Sequence, residues 1–445
     1  MKRLTAAAVL MLLSAISSRY GFSAKRTAAA LPAPPPRPAI SSCQVPLDVA
    51  ANVPPDDQPY EQRPFFDDYS WKAFAAVICD AKPGERGVPS PAKGKDGAGA
   101  RVFETYKSAW EVFHGGTVSG NWKKYEAQTY NPCEGKAKDG DLVLASVTKF
   151  LDTEQRGVGD ALIGPLPAQN GTYVHYLTQY NEKSFGHIVD VLAGKAAPGS
   201  EFPDGSVNVK SAWVEMNGPD GRRFDARHFY VRDAWIRDYD GSCKKAQVGL
   251  VGLHIVQKTP TRKNWIWSTF EQVDNVPNVG DPCPVAGAMY TFNREDCKDM
   301  PVNPVRDNQR DAPPKTIFNV QRTFALISQS TKQTNQGYQA LFSRASKWKN
   351  YELVMTQWPL KNPGPTQAAN PMYAFPGTGA TTAFANTVME TFFQRRISLS
   401  CLGCHGRTAG QSDLVWSLRI EPQGSRTEAF KELRTTMTNA GVRLQ

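Results

Sequence analysis

The sequence predicts an α+β fold, with a β-rich body, flanking helices and a helical C-terminal segment. Two observations carry this. Residues 170–276 hold five runs rich in β-branched and aromatic side chains, and apolar residues recur at helical spacing on both sides of that stretch. A third observation is the content of 35 glycines and 33 prolines among 445 residues, which implies many turns without a collagen period or a 20–50-residue repeat.

Taken in chain order, residues 67–78 place Trp71, Phe74, Ala75 and Ile78 at i, i+3, i+4 and i+7, the spacing of a helix. Residues 101–114 repeat the pattern with Val102, Tyr106, Ala109, Trp110 and Phe113, and stop at Gly115 and Gly116. The expected strands are 171–180, 207–216, 229–236, 248–257 and 264–273, the last two joined by 258–263 into a long hairpin. Helices are expected again at 320–330, 335–347, 382–396 and 428–440.

The only strongly apolar run lies at the N-terminus, from Leu4 to Ile16 after Lys2 and Arg3. It is shorter than the ~20 residues that span a bilayer and has the layout of a secretory signal, with an uncleaved anchor as the alternative. The expected organisation is a signal peptide at 1–30 and a Pro-rich linker at 31–60, containing LPAPPPRPAI. A mainly β body follows at 61–300 and a mainly helical segment at 301–445. This places the protein in the periplasm of a bacterium, touching membrane only through an uncleaved signal segment if at all.

Charge is uneven along the chain. The formal +10 includes five cations and no acid in the first 30 residues. Residues 31–300 carry 30 Lys and Arg against 34 Asp and Glu, net −4; residues 301–445 carry 17 against 8, net +9. With no nucleic-acid motif and no dense basic block, the +9 segment suits a protein partner or the acidic remainder of the same chain. No nucleic acid is expected as a partner.

Cys401-Leu402-Gly403-Cys404-His405 is C-x-x-C-H, the attachment signature of c-type haem. Two thiols at this spacing add across the two porphyrin vinyl groups, and the histidine that follows is placed as proximal iron ligand. From composition alone, roughly 0.002 chance matches are expected in such a chain. A zinc knuckle needs two more close ligands, yet after Cys297 the motif holds the only Cys and His residues. No βαβ pattern accompanies it, as a thioredoxin-like dithiol requires. H-E-x-x-H, G-x-S-x-G, P-loop and G-x-G-x-x-G motifs are absent from the chain. The expected cofactor is therefore one covalently attached haem c on Cys401, Cys404 and His405.

The other six cysteines, Cys43, Cys79, Cys133, Cys243, Cys283 and Cys297, suit up to three disulfides in an exported protein. Cys283 and Cys297 would close a short loop.

The chain resembles the bacterial exported cytochrome c family proteins that carry a single C-terminal C-x-x-C-H. The resemblance rests on WKAFAA at 71–76, VKSAW at 209–213, the stretch VGLVGLHIVQKTPTRKNWIWSTFEQVDNVP at 248–277, and CLGCH at 401–405. It implies haem binding and says little of a substrate.

Helices on either side of the motif are similar to those of small cytochromes c, but only 40 residues follow His405 and the usual methionine-bearing loop is missing. Met437, in a stripe with Phe430 and Leu433, reads as core, so the body must complete the pocket. Of His114, His175, His187, His228 and His254, the last stands out as a candidate for the distal side. It follows Gly249 and Gly252 on an alternating strand that puts Leu250, Gly252, His254 and Val256 on one face. Strand glycines mark close approach, by a flat macrocycle or by a packed element. Trp265, Trp267, Thr269 and Glu271 share a face of the next run, to wall a pocket or fill the core.

The function expected is electron transfer by a mono-haem c-type cytochrome, in exchange with an exported redox protein or a membrane-bound electron donor or acceptor. The alternative is a haem-dependent oxidoreductase or small-ligand sensor with an open distal site. No catalytic residue is identified.

Overall fold

Among the described residues eight strands form one curled sheet, organised around its longest member. In this computed structural model the residues described are 36, 38–40, 42–91, 99–113, 121–123, 132–133, 135–138, 140–147, 166–237, 242–279, 281, 290–293, 303, 317–323, 326–361, 385–391, 394, 400–405, 413–415 and 418. All belong to one unit, 35–445. The long strand, β6 (Cys243–Gln257), pairs through residues 248–257 with β4 (Val207–Glu215). Its other edge is shared. The first half of β6 pairs with β5 (Val231–Arg237) and the second half with β7 (Ile266–Gln272).

The sheet extends outward from these. β3 (Val174–Tyr180) pairs with β4, and the short β1 (Lys107–Ser108) pairs with β3. β8 (Tyr351–Gln357) pairs with β7, while β2 (Leu142–Leu144) pairs in parallel with β5. The expected hairpin is present, with Gln257 opposite Ile266 and Gly252 opposite Glu271. The α+β class holds.

Alternation sorts the side chains into two buried faces. On one, Val209, Trp213, Leu253, Ile255 and Phe270 meet helix α1 (Pro59–Val77) through Trp71 and Phe74. Helix α4 (Gln329–Gln339) locks α1 down: Tyr338 stacks on Trp71 at 5.2 Å, and Trp71 Nε1 donates to Asn335 Oδ1 at 2.8 Å. The indole thus buries its apolar body with its one donor satisfied. The other face is split between a cluster around Val214, Met216 and Phe229 and one around Tyr180, Val256 and Trp267. The second cluster is covered by α2 (Ala109–Phe113) and α3 (Glu182–Leu192).

Several expected elements differ. The first helix begins at Pro59, eight residues before the expected start, because Phe65 and Phe66 are also buried. The helix expected at 101–114 is instead a 3-10 turn (Val102–Thr105), β1 and α2; pairing of Lys107 with Tyr180 overrides the periodicity. Residues 320–322 run extended, since Val320 N donates to Phe292 O and Arg322 N to Pro277 O. The helix starts only where the Ser328 hydroxyl accepts from Thr331 N, at 3.1 Å. At 385–391 there are turns rather than helix: Asn386 Oδ1 accepts from Val388 N and Met389 N. Strands β1, β2 and β8 and helix α3 were not anticipated. Positions 1–35, Cys404's side chain, residues 428–440 and Met437 lie outside the described residues.

One register detail matters for the site. β6 carries a bulge at Val251: Ala212 faces Gly252, but Trp213 faces Leu250. Leu250 therefore joins the α1 face with Leu253 and Ile255. It does not share a face with His254, as strict alternation had implied.

Candidate functional site

The C-x-x-C-H motif forms a single helical turn, α5 (Cys401–His405), seated on the sheet face opposite α1. Leu402 is wholly buried there among Val256, Trp265 and Trp267, and its N–H donates to Gln357 Oε1 at 2.9 Å. The His405 ring lies 4.4 Å from the Trp267 ring. Of the expected tryptophan face, Trp267 thus meets the motif histidine, while Trp265 fills the core beneath the residues that follow the motif.

His405 Nδ1 is 2.7 Å from the Leu414 carbonyl oxygen. A carbonyl only accepts, so Nδ1 carries the proton and Nε2 has the lone pair. This is the arrangement in which an imidazole ligates metal through one nitrogen and is oriented through the other.

Leu414 is itself held from the sheet. Asp413 and Leu414 are consecutive non-glycine residues at positive φ, 46° and 69°, a backbone conformation that needs outside support. Asp413 takes it from three directions. Its carboxylate accepts Lys258 Nζ at 3.0 and 2.9 Å and Phe202 N at 2.9 Å; its carbonyl accepts Trp265 Nε1 at 3.0 Å. Lys258 and Asp413 side chains are only 1% and 9% exposed. Burial pushes the Asp413 carboxyl above its usual range, against the pull of the Lys258 ammonium.

His254 stands on the same face as Val256, two cross-strand pairs along from the pair Val256 and Trp267. Its Nε2 is buried without a hydrogen-bond partner, and the nearest acid oxygen, Glu390 Oε2, is 3.5 Å away. The glycine beside it accommodates a packed segment: a Cβ on Gly252 would lie 2.7 Å from Val388 Cγ2 and 3.3 Å from Met389 Cε. Gly249 makes room in the same way for Met216 and Phe229.

The 386–390 segment is tied to the face by Asn386 Nδ2, which donates to Thr269 Oγ1 at 3.0 Å. Thr387 N donates to Glu271 Oε1 at 2.6 Å, and Arg322 Nη2 to Glu271 Oε2 at 2.9 Å. Thr269 and Glu271 thus anchor the segment that packs over Gly252.

The remaining histidines have other surroundings. His175 is buried on β3 with Nε2 3.9 Å from Glu215; His187, on α3, lies against Phe202 at 4.2 Å; His228 is exposed and paired with Asp274. His114 lies outside the described residues. Sequence reasoning missed Gln357, Lys258, Asp413 and Leu414. Lys258 sits one residue past β6, and no local pattern ties it to a residue 155 positions away.

Cys43–Cys79 and Cys133–Cys243 are disulfides, whereas Cys283 and Cys297 lie outside the described residues. Among the described residues no three His, Cys, Asp or Glu side chains cluster as a metal site, and no helix is long and apolar enough to cross a membrane. The chain matches no family model, no curated protein and no solved structure.

Proposed function

We propose that this chain is an exported mono-haem c-type cytochrome that carries single electrons in the bacterial periplasm, in exchange with an exported redox protein or a membrane-bound donor or acceptor. Cys401 and Cys404 would hold the porphyrin through thioethers and His405 would ligate the iron. The observation that carries the reading is the bond from His405 Nδ1 to the Leu414 carbonyl, which leaves Nε2 as the ligating nitrogen at the end of a C-x-x-C-H turn. A bound haem c supplies a one-electron iron couple; the chain would supply its attachment and its ligand.

The electron-carrier reading is favoured over an open-site oxidoreductase or sensor by His254. Its Nε2 makes no hydrogen bond, lies 3.5 Å from Glu390 Oε2 and stands on the sheet face that carries the motif, which would suit a second nitrogen ligand. Trp267 against His405 adds an aromatic wall next to the ligand.

Expression with a c-type maturation system tests the reading. The protein should keep its colour through acid–acetone extraction and give a haem-stained band after denaturing electrophoresis. A Cys401→Ala/Cys404→Ala variant that retains covalent haem contradicts it.

A further inference from the structure

We propose that the buried Lys258–Asp413 ion pair is a positioning device for His405, fixing the ligand's second hydrogen bond and through it the reduction potential. The proposal rests on the reading of His405 as iron ligand and goes beyond it, since neither residue belongs to the attachment motif.

The path is short and continuous. Lys258 follows directly on β6, where its backbone N–H donates to Ser206 O and its carbonyl accepts from Gly205 N, so its stem is fixed to the sheet. From there Nζ reaches both carboxylate oxygens of Asp413 in a bidentate contact at 3.0 and 2.9 Å. The same carboxylate accepts from Phe202 N, and the Asp413 carbonyl accepts from the Trp265 indole. With side chain and carbonyl both held, Asp413 keeps its positive φ and so does Leu414. That pair of left-handed residues aims the Leu414 carbonyl at His405 Nδ1.

The energetics argue for a purpose. Burying a lysine and a carboxylate together carries a desolvation penalty for each ion before their attraction is counted, so such a pair is weak evidence for stability by itself. Two consecutive left-handed non-glycine residues add backbone strain. Costs of this kind concentrate where a functional group must be held in one orientation. The group held here is the carbonyl that sets the motif histidine.

The chemical consequence has a sign. A ligand imidazole whose Nδ1–H donates to a carbonyl is more electron-rich and stabilises the ferric state, which lowers the potential. Loosening Asp413 weakens that bond and raises it.

The experiment compares haem-loaded proteins by redox titration: wild type, Lys258→Met, Lys258→Arg, Asp413→Asn and, on the opposite sheet face, Trp71→Phe. The potential should rise in Lys258→Met and Asp413→Asn. Lys258→Arg, which keeps a buried cation able to bind a carboxylate at two points, should stay nearer the wild type. Trp71→Phe should lower thermal stability without moving the potential. Should Lys258→Met not accumulate, the near-isosteric Asp413→Asn gives the same comparison. Unchanged potentials in both charge-removing variants overturn the proposal, as does an Arg variant shifted as far as the Met variant. A wild type without covalent haem instead overturns the reading of the motif beneath it.

Discussion

The imidazole of His405 donates from Nδ1 to the backbone carbonyl of Leu414, nine residues on, at 2.7 Å. This bond puts the ring proton on Nδ1 and orients the motif histidine against the 413–415 segment. On this account His405→Ala should change the Soret and visible bands while the thioethers persist. Optical spectra of variant and wild type check this. Identical spectra would assign the iron to another residue.

His254 gives the second prediction. Ferric wild type should be low-spin, and His254→Ala should convert it to high spin, read by optical and electron paramagnetic resonance spectra. A weak charge-transfer band at the far-red edge of the ferric wild-type spectrum would instead indicate methionine ligation. A high-spin wild type that binds cyanide or carbon monoxide rapidly would support the oxidoreductase or sensor alternative.

Much of the body was legible from the sequence, and the reason is local. The five expected strands are rich in β-branched and aromatic residues, and each is present with boundaries shifted by a few residues. What failed was decided by distant partners. Helical spacing at 101–114 gave way to pairing of Lys107 with Tyr180, and residues 320–322 were drawn out by bonds to Phe292 and Pro277. The C-x-x-C-H spacing is contiguous and so stands in the sequence itself. Its support does not: Gln357 to Leu402, Lys258 to Asp413 and Trp267 to His405 all join residues more than 40 positions apart. The bulge at Val251, which turns Leu250 away from the face of His254, has no signature in the alternation itself.

Gly252 tests how tightly the 386–390 segment is seated. A methyl group there would meet Val388 Cγ2 at 2.7 Å, and Val388 is fully buried and β-branched, so it cannot swing aside freely. Gly252→Ala should cost about 1–3 kcal/mol, the usual range for overpacking. Denaturant unfolding measures this; an unchanged midpoint would mean the segment does not pack closely on β6.

Asp67, wholly buried in α1, has its carboxyl pushed up from 3.8 to about 6 by burial, against the opposing pull of Arg63 and the hydroxyl bonds of Thr331 and Thr356. Across that interval the folded chain binds more protons than the unfolded one, so this group's contribution is present at low pH and is lost as pH rises toward 6. The full loss is about 3 kcal/mol, and Asp67→Asn should remove this part of the pH dependence. Urea titrations on either side of the interval check it; equal pH dependence in wild type and variant would contradict the assignment.

The central claim is covalent attachment at the motif, and intact mass spectrometry under denaturing conditions tests it most directly. After expression with a c-type maturation system, the wild type should carry the added mass of one haem and the Cys401→Ala/Cys404→Ala variant none. A wild-type mass equal to the polypeptide alone, from cells that mature a known c-type cytochrome in parallel, would contradict the account.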